Sequence, residues 1–215
     1  MNKLIPLITT ANGNLLDKKE MLLDVVKEAR ELAFPKFKID WDIDILLTNY
    51  RSDTIIPEDN IGGRAYDSSY IEVDFKNKAT KYQIFDCICH KLCHAARWGK
   101  NEQWAGTLFE GKICEGLATY FEDEARKIHQ PPSFFIDTMV NRPDTENQRL
   151  LTLLHNQLDS EKYDRLTLFF RGNKEYPRWT AYSVGYYIVK KYIEQTGKKI
   201  EDVFTLNYEE FRSVL

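Results

Sequence analysis

A helical repeat of apolar residues is the clearest pattern in the first part of the chain. Between residues 17 and 34, apolar side chains recur with a spacing near 3.6, and charged side chains fill most of the other positions. The apolar set is Met21, Leu22, Val25, Val26, Ala29, Leu32 and Ala33. This pattern predicts an amphipathic helix over residues 17–34 that ends at Pro35, because proline has no backbone N–H to donate.

The pattern changes to a period of two in the next segments. Residues 41–48 alternate and then become continuously apolar, and residues 70–75 alternate again, as strands of a sheet do. Gly62-Gly63 and residues 67–69 are typical turn residues and separate the two predicted strands. The first third of the chain is therefore predicted to be a helix followed by a small sheet.

Helical spacing returns at residue 81 and dominates the rest of the sequence. It predicts helices from Lys81 to Trp98, from Gln103 to Ile128, over residues 145–170, and from Thr180 to Thr196. A helix, then a small sheet, then only helices is the order of an α+β protein. At 215 residues, with no linker or repeat, the chain is expected to form one domain over residues 1–215.

The charge balance and the apolar content of the chain argue against several classes of function. Lys and Arg number 30 against 33 Asp and Glu, so the net charge is −3 and there is no overall basic field for a nucleic acid. No apolar run approaches the roughly 20 residues needed to cross a bilayer. The apolar residues 4–8 are too few for a signal-peptide core and contain Pro6. We therefore expect a cytoplasmic protein with neither nucleic-acid nor membrane partners.

The four cysteines do not form a disulfide framework. Cys87, Cys89 and Cys93 fall within seven residues, and Cys114 follows later. In a cytoplasmic chain they are expected to stay reduced. Buried packing residues are the favoured interpretation, since free cysteine is among the most buried residue types, and a second metal cluster is the alternative.

Candidate chemistry is concentrated on the helix predicted from Lys81. His90 and His94 stand four residues apart, and Glu115 follows His94 by twenty-one residues, on the next predicted helix. Two residues at i and i+4 project from one helix face, about 6 Å apart, so that both imidazoles can reach one ion. Glu115 would be the third ligand of a zinc site, and Gly116 beside it would let the helix of the histidines and the helix of Glu115 approach closely. The alternative is that the histidines are ordinary polar residues of a helix face.

Several segments together resemble one protein family. They are residues 90–98 (HKLCHAARW), 107–108 (TL) and 115–118 (EGLA), with 62–66 (GGRAY) before them and 182–189 (YSVGYYIV) after them. This combination is similar to a bacterial family of predicted zinc-dependent proteases, a domain of unknown function related to the gluzincins. The resemblance covers most of the chain and implies a zincin-like metallopeptidase domain.

The resemblance implies a role for each matching residue. His90, His94 and Glu115 correspond to Zn²⁺ ligands, and the strand near residues 70–75 to the sheet edge along which a peptide lies. In an H-E-x-x-H peptidase the residue after the first histidine is the glutamate that serves as general base. This chain has Lys91 there. An ammonium group cannot accept the proton of an attacking water, so Lys91 is expected to impair hydrolysis, although a neutral amine at that position could still act as a base.

Two tyrosines complete the candidate site. Tyr182 and Tyr186 lie four residues apart on the last long predicted helix, where either could donate a hydrogen bond to an oxyanion, with core packing as the alternative. The sequence thus favours a zinc metallopeptidase that is impaired or inactive and acts on a peptide or protein. Two alternatives stay open. One is a zinc-dependent module that binds a peptide without cutting it, and the other is a metal-free relic in which Lys91 pairs with Glu115.

Overall fold

The computed structural model describes residues 2–50, 53–101 and 106–215. Its contacts divide the chain into two compact units, one of residues 1–100 and 121–135 and the other of residues 101–120 and 136–215. A four-stranded sheet with a mostly helical remainder confirms the predicted α+β class. The single zincin-like domain over residues 1–215 stays a prediction.

The sheet belongs to the first unit. Its strands are β1 (Leu4–Ile8), β2 (Ile43–Thr48), β3 (Ile61–Ala65) and β4 (Tyr70–Phe75), in the spatial order β1-β2-β4-β3. The pairs β1–β2 and β2–β4 are parallel, and β3 runs antiparallel to β4. Helix α1 (Lys19–Phe37) packs on β1, and helix α2 (Lys81–Lys100) packs on β3, β4 and α1. The helix that carries both histidines is thus fixed to the sheet.

Three expectations about the first third of the chain were wrong: that the helix precedes the whole sheet, that residues 70–75 form the sheet edge, and that Gly62-Gly63 form a turn. The apolar residues 4–8 form β1, whose Pro6 is tolerated because β1 is an edge strand and not every N–H there is needed for pairing. Residues 70–75 form a strand, as predicted, but β4 lies between β2 and β3 and is not the sheet edge. The edge next to β4 is β3.

Gly62 and Gly63 lie inside strand β3 and do not form the predicted turn. A Cβ atom on Gly62 would lie 2.0 Å from the carbonyl oxygen of Thr54, and one on Gly63 would lie 2.3 Å from that of Glu72. Both positions therefore need glycine because neighbouring backbone approaches too closely for a side chain.

Helix α1 extends past its predicted end. Pro35 lies within the helix, which ends at Phe37, and Lys38 follows in the left-handed conformation with φ 50°. Proline removes only one backbone hydrogen bond here, and the N–H of Lys38 caps the carbonyls of Phe34 and Pro35. A proline one turn from the end of a helix is therefore tolerated.

Helix α3 spans Leu108–His129 and starts later than expected. The predicted start, Gln103, lies outside the described residues. Gly106 has a φ of +73°, which is not helical. Thr107 Oγ1 accepts the N–H of Glu110 at 3.2 Å, and the Glu110 carboxylate accepts the N–H of Gly106 at 2.7 Å. This reciprocal capping starts the helix at Leu108.

The remaining helices are α4 (Phe134–Val140), α5 (Asp144–Leu154), α6 (Thr180–Thr196) and α7 (Ile200–Val203). Helix α6 has the predicted bounds and ends at Gly197. The helix predicted over residues 145–170 ends at Leu154, and short 3-10 and π-helical turns follow it. Its middle is not helical because the carbonyls of Leu158 and Ser160 accept the first N–H groups of α3, at 2.9 and 3.0 Å.

Within the described ranges, no helix is both long and apolar enough to cross a membrane.

Gly116 and Gly185 form a close crossing of α3 and α6 within the second unit. A Cβ atom on Gly116 would lie 2.3 Å from the carbonyl carbon of Gly185, and one on Gly185 would lie 2.0 Å from the carbonyl oxygen of Lys112. Gly116 was expected to let α3 approach the helix of the two histidines, but the backbone that it meets is that of α6.

We predict that Gly116→Ala lowers the free energy of unfolding by about 1–3 kcal/mol, because the new methyl group meets backbone that cannot rotate away. Gly111→Ala is the matched control on the same helix. Its Cβ would lie 3.1 Å from the ring of Phe169, a side chain that can shift, and alanine favours the helix by about 1 kcal/mol. Urea unfolding measures both variants. Equal stability of the Gly116 variant and the wild type would contradict the close crossing.

Candidate metal centre

His90 and His94 lie on one face of α2, and both are buried. Their rings are 4.9 Å apart at an angle of 62°, and their Nε2 atoms are separated by 3.1 Å. The ring of Trp98 stacks on His94, with centroids 5.6 Å apart, and Phe135 lies edge-on to His90 at 6.5 Å. Two imidazole nitrogens thus converge on one point inside an aromatic surrounding.

The carboxylate of Glu122, on α3, contacts the other nitrogen of His90. Glu122 Oε2 lies 2.7 Å from His90 Nδ1, and both side chains are buried. A carboxylate accepts hydrogen bonds, so this contact favours the tautomer of His90 with its proton on Nδ1. The lone pair of His90 then lies on Nε2, the atom that faces His94.

Glu115 lies seven residues before Glu122 on the same helix. Seven residues are within about 20° of two full helical turns, so α3 presents Glu115 on nearly the same face as Glu122. The candidate ligand atoms of His90, His94 and Glu115 all lie within 4.8 Å of one another. Among the described residues, no other set of three or more His, Cys, Asp or Glu side chains approaches this closely.

This donor set fits zinc. Zn–N bonds of about 2.0–2.1 Å in a tetrahedron separate ligand atoms by about 3.3 Å, close to the 3.1 Å between the two Nε2 atoms. The carboxylate of Glu115 is half-buried, and one of its oxygens lies within 4.8 Å of a ring nitrogen of each histidine. Two imidazoles, one carboxylate and a place for a fourth ligand form a common set for catalytic zinc.

Lys91 lies next to His90 on α2 and is half-buried. Burial raises the pKa of the Cys87 thiol to about 12, and the positive charge of Lys91, one helical turn away, opposes that rise.

The cysteines are free and buried, in agreement with a packing role. Burial raises the pKa of Cys89 well above its ordinary value, as it does for Cys87. A thiol with a raised pKa is a poor nucleophile and a poor metal ligand, because both functions need the thiolate.

Tyr182 and Tyr186 lie on α6 in the second unit. The ring of Tyr182 meets that of Phe169 edge-on at 5.8 Å, and the buried ring of Tyr186 lies 5.9 Å from that of Tyr120. Their role as oxyanion donors stays a prediction.

Two acids near the centre were not predicted from the sequence. Glu122 could have been found from its seven-residue spacing after Glu115, which puts both carboxylates on one side of a helix. Asp86 lies one turn before His90 and is 3% exposed, and neither of its carboxylate oxygens has a hydrogen-bond partner among the described residues. Burial raises the pKa of Asp86 to about 8, helped by the charges of Glu122 and Asp123 and opposed by that of Arg126.

We predict that Asp86 makes the protein less stable as pH rises from about 4 to about 8. The unfolded chain loses the Asp86 proton near the ordinary pKa of 3.8, whereas the folded chain keeps it up to about 8, so stability falls across this window. The slope reaches about 1.4 kcal/mol per pH unit. Asp86→Asn should remove this dependence, so that its stability relative to the wild type increases with pH. Asp24→Asn, at an exposed position of α1, is the control. A stability difference for Asp86→Asn that is constant over this range would contradict the prediction.

Comparison with known proteins identifies the family. No curated protein and no solved structure matches the chain. A family model described as a predicted Zn-dependent protease (DUF2268) matches residues 22–213. This match includes α2, α3 and all three candidate ligands. Since it covers most of the 215 residues, the chain belongs to this family.

Proposed function

We propose that the chain binds one Zn²⁺ through His90, His94 and Glu115, has the architecture of a zinc metallopeptidase, and is impaired in peptide hydrolysis by Lys91. The observation that carries the proposal is the group of three ligand atoms within 4.8 Å of one another. The family description, a predicted Zn-dependent protease, supports the choice of metal and of reaction.

Lys91 decides how much of that reaction the chain retains. When bound, zinc supplies Lewis-acid chemistry that activates water for attack on a peptide carbonyl. Hydrolysis also needs a group that takes a proton from the water and passes it to the leaving amine. The ammonium group of Lys91 has three donors and no acceptor, so it cannot take the proton. The family resemblance implies a glutamate at this position, and its replacement leaves a metal site without its base.

The sheet supports a peptide or protein as the substrate class. Strand β3 is an edge strand of the sheet and packs against α2, the helix of the two histidines. Ile56 pairs with Ile61 at one end of this strand. We propose that an extended peptide or protein segment pairs with β3. From the sequence, this role was expected of residues 70–75, which form β4.

Two alternatives use the same residues. A non-catalytic module would hold a peptide at the zinc centre without cutting it, as the cation at Lys91 allows. A metal-free relic would pair Lys91 with Glu115 in place of the ion. Metal content separates the relic from the other two, and turnover separates the enzyme from the module.

We predict that protein purified and dialysed with limiting zinc holds about one Zn²⁺ per chain, measured by elemental analysis and by competition with a chromophoric chelator. His94→Ala should abolish this binding because only two of the three proposed protein ligands, His90 and Glu115, would remain. His129→Ala is the matched control, since His129 contacts Glu28 and not the candidate ligands. Replacement of Cys89 and Cys93 by Ala should also leave the stoichiometry unchanged. Lack of zinc affinity in the wild type would favour the relic.

We predict that Lys91→Glu raises peptidase activity by about 10²–10⁴-fold, the usual contribution of a general base. Cleavage is measured on a broad peptide library at matched zinc occupancy. Lys91→Gln is the control, because it removes the positive charge without supplying a base, and it should gain no comparable activity. Robust zinc-dependent cleavage by the unmodified protein would contradict the assigned effect of Lys91.

A further inference from the structure

The contact between His90 and Glu122 places a carboxylate in the interior of the protein. The two side chains are only 4% and 11% exposed, so water competes little for the 2.7 Å contact between Nδ1 and Oε2. Burial of a carboxylate is costly unless it is hydrogen-bonded or paired. His90 provides such a pairing.

The surroundings of Glu122 increase that cost. Asp86 and Asp59 are both buried, and the negative charge of Glu122 helps to raise the pKa of each, after the larger effect of burial itself. Asp59 accepts the backbone N–H groups of Phe134 and Phe135, at 2.6 and 2.8 Å, and so caps α4. Asp86 makes no such bond among the described residues. Glu122 thus shares its surroundings with further buried acids, and a cation bound on the far side of His90 would offset part of the negative charge of Glu122.

We infer that Glu122 is a positioning residue for the metal centre, which holds the ring of His90 in the tautomer and orientation that present Nε2 toward His94. This inference rests on the proposed function, since it assumes that His90 and His94 bind zinc. A carboxylate that accepts the second ring N–H of a ligating histidine fixes the ring and makes it a stronger donor, and its loss typically weakens metal binding by about 10–100-fold.

The chain contains a matched control. His129 and Glu28 form a second contact of the same chemical type in the first unit, with the His129 ring stacked on Tyr82 at 4.1 Å. Neither residue belongs to the group of candidate ligands. Glu28→Gln therefore removes a comparable carboxylate from a histidine that does not bind the ion.

The experiment compares zinc affinity and histidine tautomers in the full chain. We expect Glu122→Gln to bind zinc about 10–100-fold more weakly than the wild type in a chelator competition, and Glu28→Gln to bind it equally well. In metal-free protein, ¹⁵N NMR of the histidine rings should show the proton of His90 on Nδ1 in the wild type and a changed tautomer population in Glu122→Gln. The tautomer of the wild type is informative even if the variant does not fold.

The outcomes separate this inference from the proposed function. Absence of zinc binding by the wild type would overturn the proposed function and the metal-related role of Glu122 together. Zinc binding of equal strength in the wild type and in folded Glu122→Gln would overturn the positioning role alone. A proton on Nε2 of His90 in the metal-free wild type would also overturn it, as would weaker zinc binding by Glu122→Gln with an unchanged tautomer, since the effect would then be structural.

Discussion

The buried contact between His90 and Glu122 joins α2 to α3, and the geometry of the candidate site depends on this packing. Helix α2 is fixed by the sheet, and its four-residue spacing turns both imidazoles to one side. Glu115 lies two helical turns before Glu122 on α3. Two helices therefore supply all three candidate ligands and the carboxylate behind one of them. The contact also buries the carboxylate of Glu122, which is stable there because it is paired with His90.

The elements that could be predicted were those with strong periodicity of their own. Helices α2 and α6 and strands β2 and β4 carry clear apolar patterns, and the structure confirms them within two residues at each end. The errors arose where distant backbone decides the local structure. Gly62 and Gly63 look like a turn because glycine permits one, but they are needed in β3 for close contact with Thr54 and Glu72. The strand order, which makes β3 an edge and β4 an interior strand, is absent from any local pattern.

Part of the candidate site could likewise be predicted from the sequence and part could not. The spacing of His90, His94 and Glu115 was sufficient to propose a ligand set, because helix geometry is local, and the identity of Lys91 is visible in the sequence itself. Burial of single charged residues was not predictable. Lys112, on the buried side of α3, is 0% exposed, and burial and the charge of Arg212 lower its pKa to about 7. Asp86 is the corresponding case in the first unit. Each depends on neighbours that only the folded chain brings together.

X-ray absorption at the zinc edge tests the central claim, the ligand set, most directly. Zinc-loaded protein should show a first shell of nitrogen and oxygen at about 2.0–2.1 Å, with the outer scattering of two imidazole rings and no sulfur. The four cysteines lie in the same part of the sequence as the histidines, so a wrong ligand assignment would be visible. Sulfur at about 2.3 Å, or a shell with no imidazole scattering, would contradict the assignment of His90, His94 and Glu115 as the metal centre.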